Sequence, residues 1–103
     1  MIVVTGSILA KPDTIDELKR GALEHVHRSR AEPGCLHHSV QIDCENPMRL
    51  VFVERWADRS ALKAHFIVPA SGAFVRHATA LAAAPPDIAI YDATETDTKS
   101  IMT

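Results

Sequence analysis

Residues 35–56, CLHHSVQIDCENPMRLVFVERW, decide the fold of this chain. Two runs typical of β-strands, 35–43 and 48–56, are separated by the turn-forming cluster Glu45-Asn46-Pro47. Two strands joined by so short a turn predict an antiparallel hairpin. Side chains alternate along a strand, and the second run is apolar on both faces, so it is expected to be covered on both sides. One face carries Leu50, Phe52, Glu54 and Trp56, and the other carries Val51, Val53 and Arg55.

A strand and a helix precede the hairpin. Residues 2–10 are mostly apolar and β-branched, as expected of a strand. Thr14 and Glu17 have the spacing of a capping box, and apolar residues then recur every three or four positions. The helix is predicted to end near Ala31, because Pro33 disfavours helical geometry in the residue before it. Its inward face is predicted to carry Ile15, Leu18, Ala22, Val26 and Ser29.

Two helical segments and a last strand follow the hairpin. Asp58 can cap a helix that Pro69 interrupts, and a second helical stretch is predicted over residues 70–83. Residues 87–93 form the fourth predicted strand. The order β-α-β-β-α-β, with right-handed crossovers, predicts an α+β fold of the ferredoxin-like type. In that fold a four-stranded antiparallel sheet carries its helices on one face.

The sheet face without helices needs a cover of its own. An open apolar face promotes association, and a two-fold dimer that stacks sheet on sheet buries it. A chain of 103 residues also has a thin core, to which a second copy adds burial. We therefore expect a homodimer that forms through the sheet faces. The apolar residues predicted for this face are Val3, Leu9, Val51 and Val53.

Length and composition favour one domain, residues 1–93, followed by a polar tail, residues 94–103. The formal net charge is −2 and the charged residues are scattered, which argues against a nucleic-acid partner. No apolar run is long enough to span a membrane, and no signal-peptide pattern is present, so we expect a cytoplasmic protein with no membrane partner. Cys35 and Cys44 are predicted to be free thiols.

Glu54, Trp56 and His65 form the candidate site. If their strand face lies under the helices, a carboxylate, an indole and an imidazole converge between sheet and helix. The imidazole and the carboxylate can exchange protons with a ligand hydroxyl, and the indole can stack on a flat ring. The alternative is structural, with the indole in the core and both polar groups satisfied locally. Further candidate lining residues are the aromatics Phe52, Phe66 and Phe74.

The sequence contains no motif for a metal or a cofactor. His25 and His27 project to different sides of a helix, and His37 and His38 point to opposite faces of a strand. Neither pair is spaced for joint ligation, and no zinc-finger or His-Glu-x-x-His pattern exists. The chain also lacks a Gly-x-Gly-x-x-Gly motif and a P-loop. We therefore expect no metal site and no bound cofactor.

Three features resemble the antibiotic biosynthesis monooxygenase superfamily of dimeric α+β barrels. They are the Pro33-Gly34 turn, the Glu54-x-Trp56 end of the third strand, and the segment 60–65, SALKAH. The resemblance covers residues 2–93 and implies a cofactor-independent monooxygenase that oxidises a small aromatic or quinol substrate with molecular oxygen. It also implies that His65 transfers a proton or binds a substrate hydroxyl and that Trp56 and Glu54 belong to the pocket.

The sequence also departs from that family. Many members have a second histidine after the proline that ends the helix, whereas Pro69 is followed here by Ala70 and Ser71. The residues typical of the heme-degrading branch are absent, because Gly6 and Val75 occupy two of those positions and His65 the third. Two other functions stay open, namely an isomerase or lyase of a small metabolite and a non-catalytic dimer that binds small molecules.

Overall fold

The computed structural model describes residues 1–103, and its strands and helices follow the predicted order with one additional helix at the end. The strand order in the sheet is β2-β3-β1-β4, and every neighbouring pair is antiparallel. The predicted α+β, ferredoxin-like fold is therefore confirmed. The elements are β1 (Ile2–Leu9), α1 (Ile15–Ser29), β2 (Cys35–Asp43), β3 (Asn46–Trp56), α2 (Arg59–Ile67), α3 (Pro69–Leu81), β4 (Asp87–Asp92) and α4 (Thr98–Met102).

The main core lies between the sheet and the helices α1 and α3. The central strands β1 and β3 contribute alternate side chains to it, such as the paired residues Ile8 and Leu50. From α1, Leu18 and Val26 reach the same layer and are fully buried. Burial of a side chain of this size contributes roughly 1.5–3 kcal/mol to stability. The predicted inward face of the first helix is confirmed, since all five of its residues are buried: Ile15, Leu18, Ala22, Val26 and Ser29.

The other face of the sheet carries no helix. Side chains there alternate with the buried ones, and they are partly buried by their neighbours in the sheet. Tyr91, which pairs with Val3, extends this face and is 54% exposed. The apolar residues predicted for this face all lie on it: Val3, Leu9, Val51 and Val53.

Both predicted helix starts are confirmed, but only one has the predicted side-chain cap. Thr14 directly precedes α1, yet its hydroxyl makes no capping hydrogen bond and instead donates to the carbonyl oxygen of Leu81 at 2.8 Å. That bond ties the start of α1 to the end of α3. The cap at Asp58 is confirmed, since its carboxylate accepts from the backbone N–H of Ala61 at 2.8 Å.

The segment predicted as a polar tail contains the short helix α4. Its first turn is capped by the carboxylate of Asp97, which accepts from the backbone N–H of Lys99 at 3.1 Å. Every residue of α4 is exposed, so the helix is not part of the core. No helix in the structure combines the length and the apolar character needed to cross a membrane.

His38 faces the helices because it shares a strand face with Val40, and it lies opposite Glu54 in the ladder of β2 and β3. Its side chain is buried, and the residue is 1% exposed. A β-bulge lies just before this regular stretch, where Cys35 pairs with Trp56 and Leu36 is an extra, exposed residue. The pairing of β2 with β3 therefore brings a histidine of β2 to the carboxylate of β3. Both cysteines are free, as predicted.

Gly34 allows the chain to turn from α1 into β2. Its φ angle is 80°, in the left-handed region that other residues adopt only at a cost. A Cβ atom at this position would lie 2.6 Å from the Cβ of Ala61 on α2. The turn therefore packs directly against α2, and no side chain fits between them.

We expect the substitution Gly34→Ala to lower the free energy of unfolding by about 2 kcal/mol or more, because strain at positive φ adds to the clash. Gly21→Ala is the matched control. Gly21 lies within α1, where a new Cβ would make an ordinary 3.5 Å contact with His77, so alanine is expected to add about 0.5–1 kcal/mol. Urea denaturation measures both values. A Gly34→Ala variant as stable as the wild type would contradict the tight packing of this turn.

Candidate functional site

A cavity of about 340 Å³ lies between the sheet and the helices α2 and α3. Its wall is mainly apolar and aromatic, and no lysine or arginine lines it. The volume is at the lower end of the range for small-molecule sites, which suits a ligand of one or two rings. Five of the six residues predicted for the site line this cavity: Phe52, Glu54, His65, Phe66 and Phe74.

Trp56, the sixth predicted residue, does not line the cavity. It is fully buried at the end of β3, and its ring centroid lies 4.6 Å from that of His65. Its indole N–H donates to a carboxylate oxygen of Glu54 at 2.9 Å. The indole thus packs against His65 and donates a hydrogen bond to Glu54, and these two residues line the cavity.

His65 is held by a carboxylate that the sequence did not indicate. Its Nδ1 lies 2.9 Å from Oε1 of Glu32, in the turn between α1 and β2. A carboxylate only accepts, so Nδ1 carries a proton, and in the neutral ring the lone pair is on Nε2. This is the arrangement of a histidine base oriented by a third group. The side chain of His65 is 3% exposed, so the pair is shielded from bulk water.

Two further buried histidines surround His65. His25 of α1 and His38 of β2 have ring centroids 5.3 and 5.6 Å from that of His65, and 5.2 Å from each other. His25 also stacks on Phe74, with ring centroids 4.4 Å apart. Each of the three histidines comes from a different element, so spacing along the chain does not reveal the cluster. The only sequence signal was the number of histidines.

The two polar nitrogens of His38 have no hydrogen-bond partner in the protein. Its Nε2 lies 3.4 Å from Oε1 of Glu54, a long polar contact outside ordinary hydrogen-bond geometry. The hydroxyl of Ser71, which lines the cavity, is also buried without a partner. Buried polar atoms of this kind are costly to a fold, and such sites are often functional.

Burial and neighbouring charges set the protonation of the cluster. Burial lowers the pKa of His25 from 6.5 to about 3, and the neighbouring His38 and His65 add to that effect. Burial also acts to raise the pKa of Glu54, but its contacts with His38 and Trp56 outweigh burial and the net pKa is lowered. At neutral pH His25 is therefore an uncharged imidazole beside a charged carboxylate.

The exposed residues that line the cavity are mainly apolar, apart from Thr79 and Asp87. Phe66 of α2, Val75 of α3 and Ile88 of β4 line it and are 48%, 59% and 61% exposed. Apolar side chains that are exposed together at one opening favour an apolar ligand or partner surface. The rim thus attracts flat, apolar molecules toward the histidines inside.

The lowered pKa of His25 predicts how stability depends on pH. Between pH 6.5 and about 3 the unfolded chain binds a proton at this residue and the folded chain does not. The free energy of unfolding therefore falls as the pH falls through that window, with a slope from His25 of at most about 1.4 kcal/mol per pH unit. His25→Gln should flatten this dependence between pH 6.5 and 5.

That range avoids the titration of Glu54, whose lowered pKa affects stability only below its ordinary value of 4.5. Urea denaturation in the presence of a chelator measures the slope. The matched control is His27→Gln, which removes an exposed imidazole two residues along the same helix. An unchanged slope in the His25 variant would show that His25 is protonated in the folded protein.

Comparison with known proteins adds independent information. The sequence profile of the antibiotic biosynthesis monooxygenase family matches residues 1–77, about three quarters of the chain. The Synechocystis sp. protein sll1783 is 38% identical over 97 residues, which are 94% of this chain and 66% of that protein. YcnE of Bacillus subtilis, a protein provisionally named a monooxygenase, is 31% identical over 85% of this chain and 93% of its own length.

Solved structures share the fold. A crystal structure of an antibiotic biosynthesis monooxygenase superposes with a TM-score of 0.85 at 29% identity, covering 92% of this chain and 100% of that one. A Deinococcus radiodurans structure superposes with a TM-score of 0.89 at 23% identity, covering 94% and 96% of the two chains. Because the family profile matches three quarters of the chain and the fold is the same, this chain belongs to the antibiotic biosynthesis monooxygenase family.

Proposed function

We propose that this protein is a cofactor-independent monooxygenase that oxidises a small aromatic or quinol substrate with molecular oxygen. The observation that carries the proposal is the oriented pair of Glu32 and His65 at the wall of an aromatic cavity. Family membership supports oxygen chemistry in general. The aromatic or quinol substrate and the role of His65 are what the resemblance to that family implies, and the aromatic wall and the contact between Glu32 and His65 are compatible with them.

His65 is the proposed catalytic base. Its Nε2 lone pair accepts the proton of a substrate hydroxyl, and Glu32 stabilises the imidazolium that results. The surrounding wall is mainly apolar and keeps water away from the phenolate that forms. Without hydrogen bonds from water, the anion is easier to oxidise. An electron-rich anion is the form of an aromatic molecule that reduces oxygen most readily.

The oxygen step balances without an external reductant. The phenolate gives one electron to oxygen, and the two radicals combine so that a ring carbon forms a C–O bond with the peroxide. The peroxide O–O bond then breaks, the hydrogen on that carbon is lost as a proton, and a carbonyl remains. One oxygen atom enters the substrate, and the other leaves as water after it takes up the proton held by His65 and the proton released from the ring carbon. The substrate supplies all four electrons.

The walls of the cavity favour a flat substrate. Phe52 and Phe74 offer ring faces and edges, with their own centroids 6.0 Å apart. An isomerase or lyase of a charged metabolite, such as a phosphorylated sugar, needs cationic side chains, and neither lysine nor arginine lines this cavity. A non-catalytic binder would use the same walls, and the absence of turnover distinguishes it.

We also propose that the protein is a homodimer that forms through its open sheet faces. Val51 and Val53 of the central strand β3 are half-buried on this face, and Tyr91 of the edge strand β4 is exposed on the same face. A second copy placed on this face would bury these side chains against an equivalent surface. The cavity lies on the other side of the sheet, so stacking leaves its mouth accessible.

Oxygen uptake with a panel of quinols and electron-rich phenols tests the activity. We expect His65→Gln to lower kcat by about 100-fold or more, since a positioned base contributes a factor of roughly this size. Glu32→Gln should give a smaller loss and change the pH dependence of kcat, because it acts through the base.

His77→Gln is the matched control. His77 is a partly exposed histidine of α3 that does not line the cavity, and its loss should leave uptake unchanged. Background uptake in the wild type across the panel would exclude oxygenation of these substrates. Ligand-induced thermal shifts without uptake would instead favour the binder.

Light scattering coupled to size-exclusion chromatography tests the dimer. The wild type is expected at twice the mass of the 11.3 kDa chain, and Val53→Lys should shift it to the monomer by placing charge in the stacked faces. Ile67→Lys, at a 76% exposed position on α2, controls for the same substitution outside that face. A monomeric wild type would contradict the proposed interface.

A further inference from the structure

We propose that His25, His38 and His65 form a binding site for a divalent transition-metal ion such as Zn²⁺. One ligand atom from each histidine lies within 4.8 Å of the others, and all three residues are buried. Nitrogen ligands of this type suit zinc, copper, nickel and iron. Three protein ligands with one remaining position are the composition of a site that can also bind a small molecule.

The spacing of the three rings is that of a metal-bound trio. With Zn–N bonds of about 2.0–2.1 Å in a tetrahedral arrangement, ring centroids lie roughly 5.2 Å apart. The three observed separations are 5.2, 5.3 and 5.6 Å. The ligand nitrogens now lie within 4.8 Å of one another and must come to within roughly 3.4 Å, so metal binding requires the rings to reorient.

Unpartnered nitrogens at the centre of the cluster support a ligand there. Both ring nitrogens of His38 are buried, Nδ1 has no partner in the protein, and Nε2 has only a long contact of 3.4 Å with Oε1 of Glu54. The side chain is fully buried, so the cost of desolvation is not relieved by solvent. A bound cation at the centre of the trio would satisfy one of these nitrogens. Its fourth position would open toward the cavity, which His25 and His65 line.

Glu32 supplies the support typical of a metal-binding histidine. Its carboxylate accepts from Nδ1 of His65, which leaves Nε2 as the ligand atom. Arg28 acts in the opposite direction, because its guanidinium donates to Nδ1 of His25 at 3.1 Å and thereby places the imidazole proton on Nε2. Binding through Nε2 requires that proton to move and the Arg28 contact to break. Arg28 is exposed and can move away.

Metal binding by the three histidines does not depend on the proposed oxygenase activity. An ion bound to Nε2 of His65 would occupy the lone pair that the proposed base uses, so a single protein molecule cannot do both at once. Equilibrium binding of a metal is measured without substrate, and it succeeds or fails whatever the outcome of the oxygen-uptake assay.

The test uses the full chain without an affinity tag, stripped with a chelator and titrated with Zn²⁺ by calorimetry. We expect one ion per chain. His25→Gln, His38→Gln and His65→Gln should each weaken binding by more than about 100-fold, and Glu32→Gln by about 10–100-fold, because it orients a ligand without contacting the ion. Arg28→Met should bind at least as tightly as the wild type.

His27→Gln and His37→Gln are the matched controls, since each removes the histidine beside or near a proposed ligand while leaving the trio intact. Both should bind Zn²⁺ within about twofold of the wild type. Co²⁺ gives a second readout that needs no variant to fold, because four-coordinate Co²⁺ absorbs visible light much more strongly than the aqueous ion. A wild type without saturable Zn²⁺ binding, a Co²⁺ spectrum of the aqueous ion, or trio variants that bind like the controls would each overturn the proposal.

Discussion

The alternation of side chains along β3 is the constraint on which the rest of the structure depends. Phe52, Glu54 and Trp56 face the helices, and the residues between them face the open side of the sheet. Because the strand is central, paired with β1 and β2, its register cannot slip without moving apolar side chains to the wrong face. One strand therefore fixes the cavity wall on one side and the apolar surface on the other.

Burial of polar groups in this core lowers the free energy of unfolding, and most of them have a hydrogen-bond partner that offsets this cost. Glu54 accepts from the indole of Trp56, and His65 donates to Glu32. His38 is the exception, because its buried Nδ1 has no partner and its Nε2 has only the long contact with Glu54. An apolar residue at that position would pack without this penalty. A cluster that lowers stability in this way indicates that the site has a role other than folding.

Features that lie within one element were predictable from the sequence, and features that join elements were not. Strand alternation placed Glu54 and Trp56 on one face, and helical spacing turned His65 inward, as the structure confirms. Glu32 lies in a turn, where no periodicity indicates direction, and its contact with His65 spans 33 positions. Alternation along β2 puts His38 on the same face as Val40, but it does not show that His38 meets His25 and His65 there. Residues 35–56 thus predicted the architecture, but only tertiary packing revealed the trio.

The turn at Gly34 connects local backbone geometry with a contact between elements. It packs against α2 with no room for a Cβ atom, and it sets the distance between the carboxylate two residues earlier and the helix that carries His65. A looser turn would separate Glu32 from the imidazole and leave a buried histidine without its oriented tautomer. Both proposed roles of His65, as a base and as a metal ligand, need the lone pair on Nε2 that this contact provides. The chemistry of the cavity therefore depends on a backbone conformation outside it.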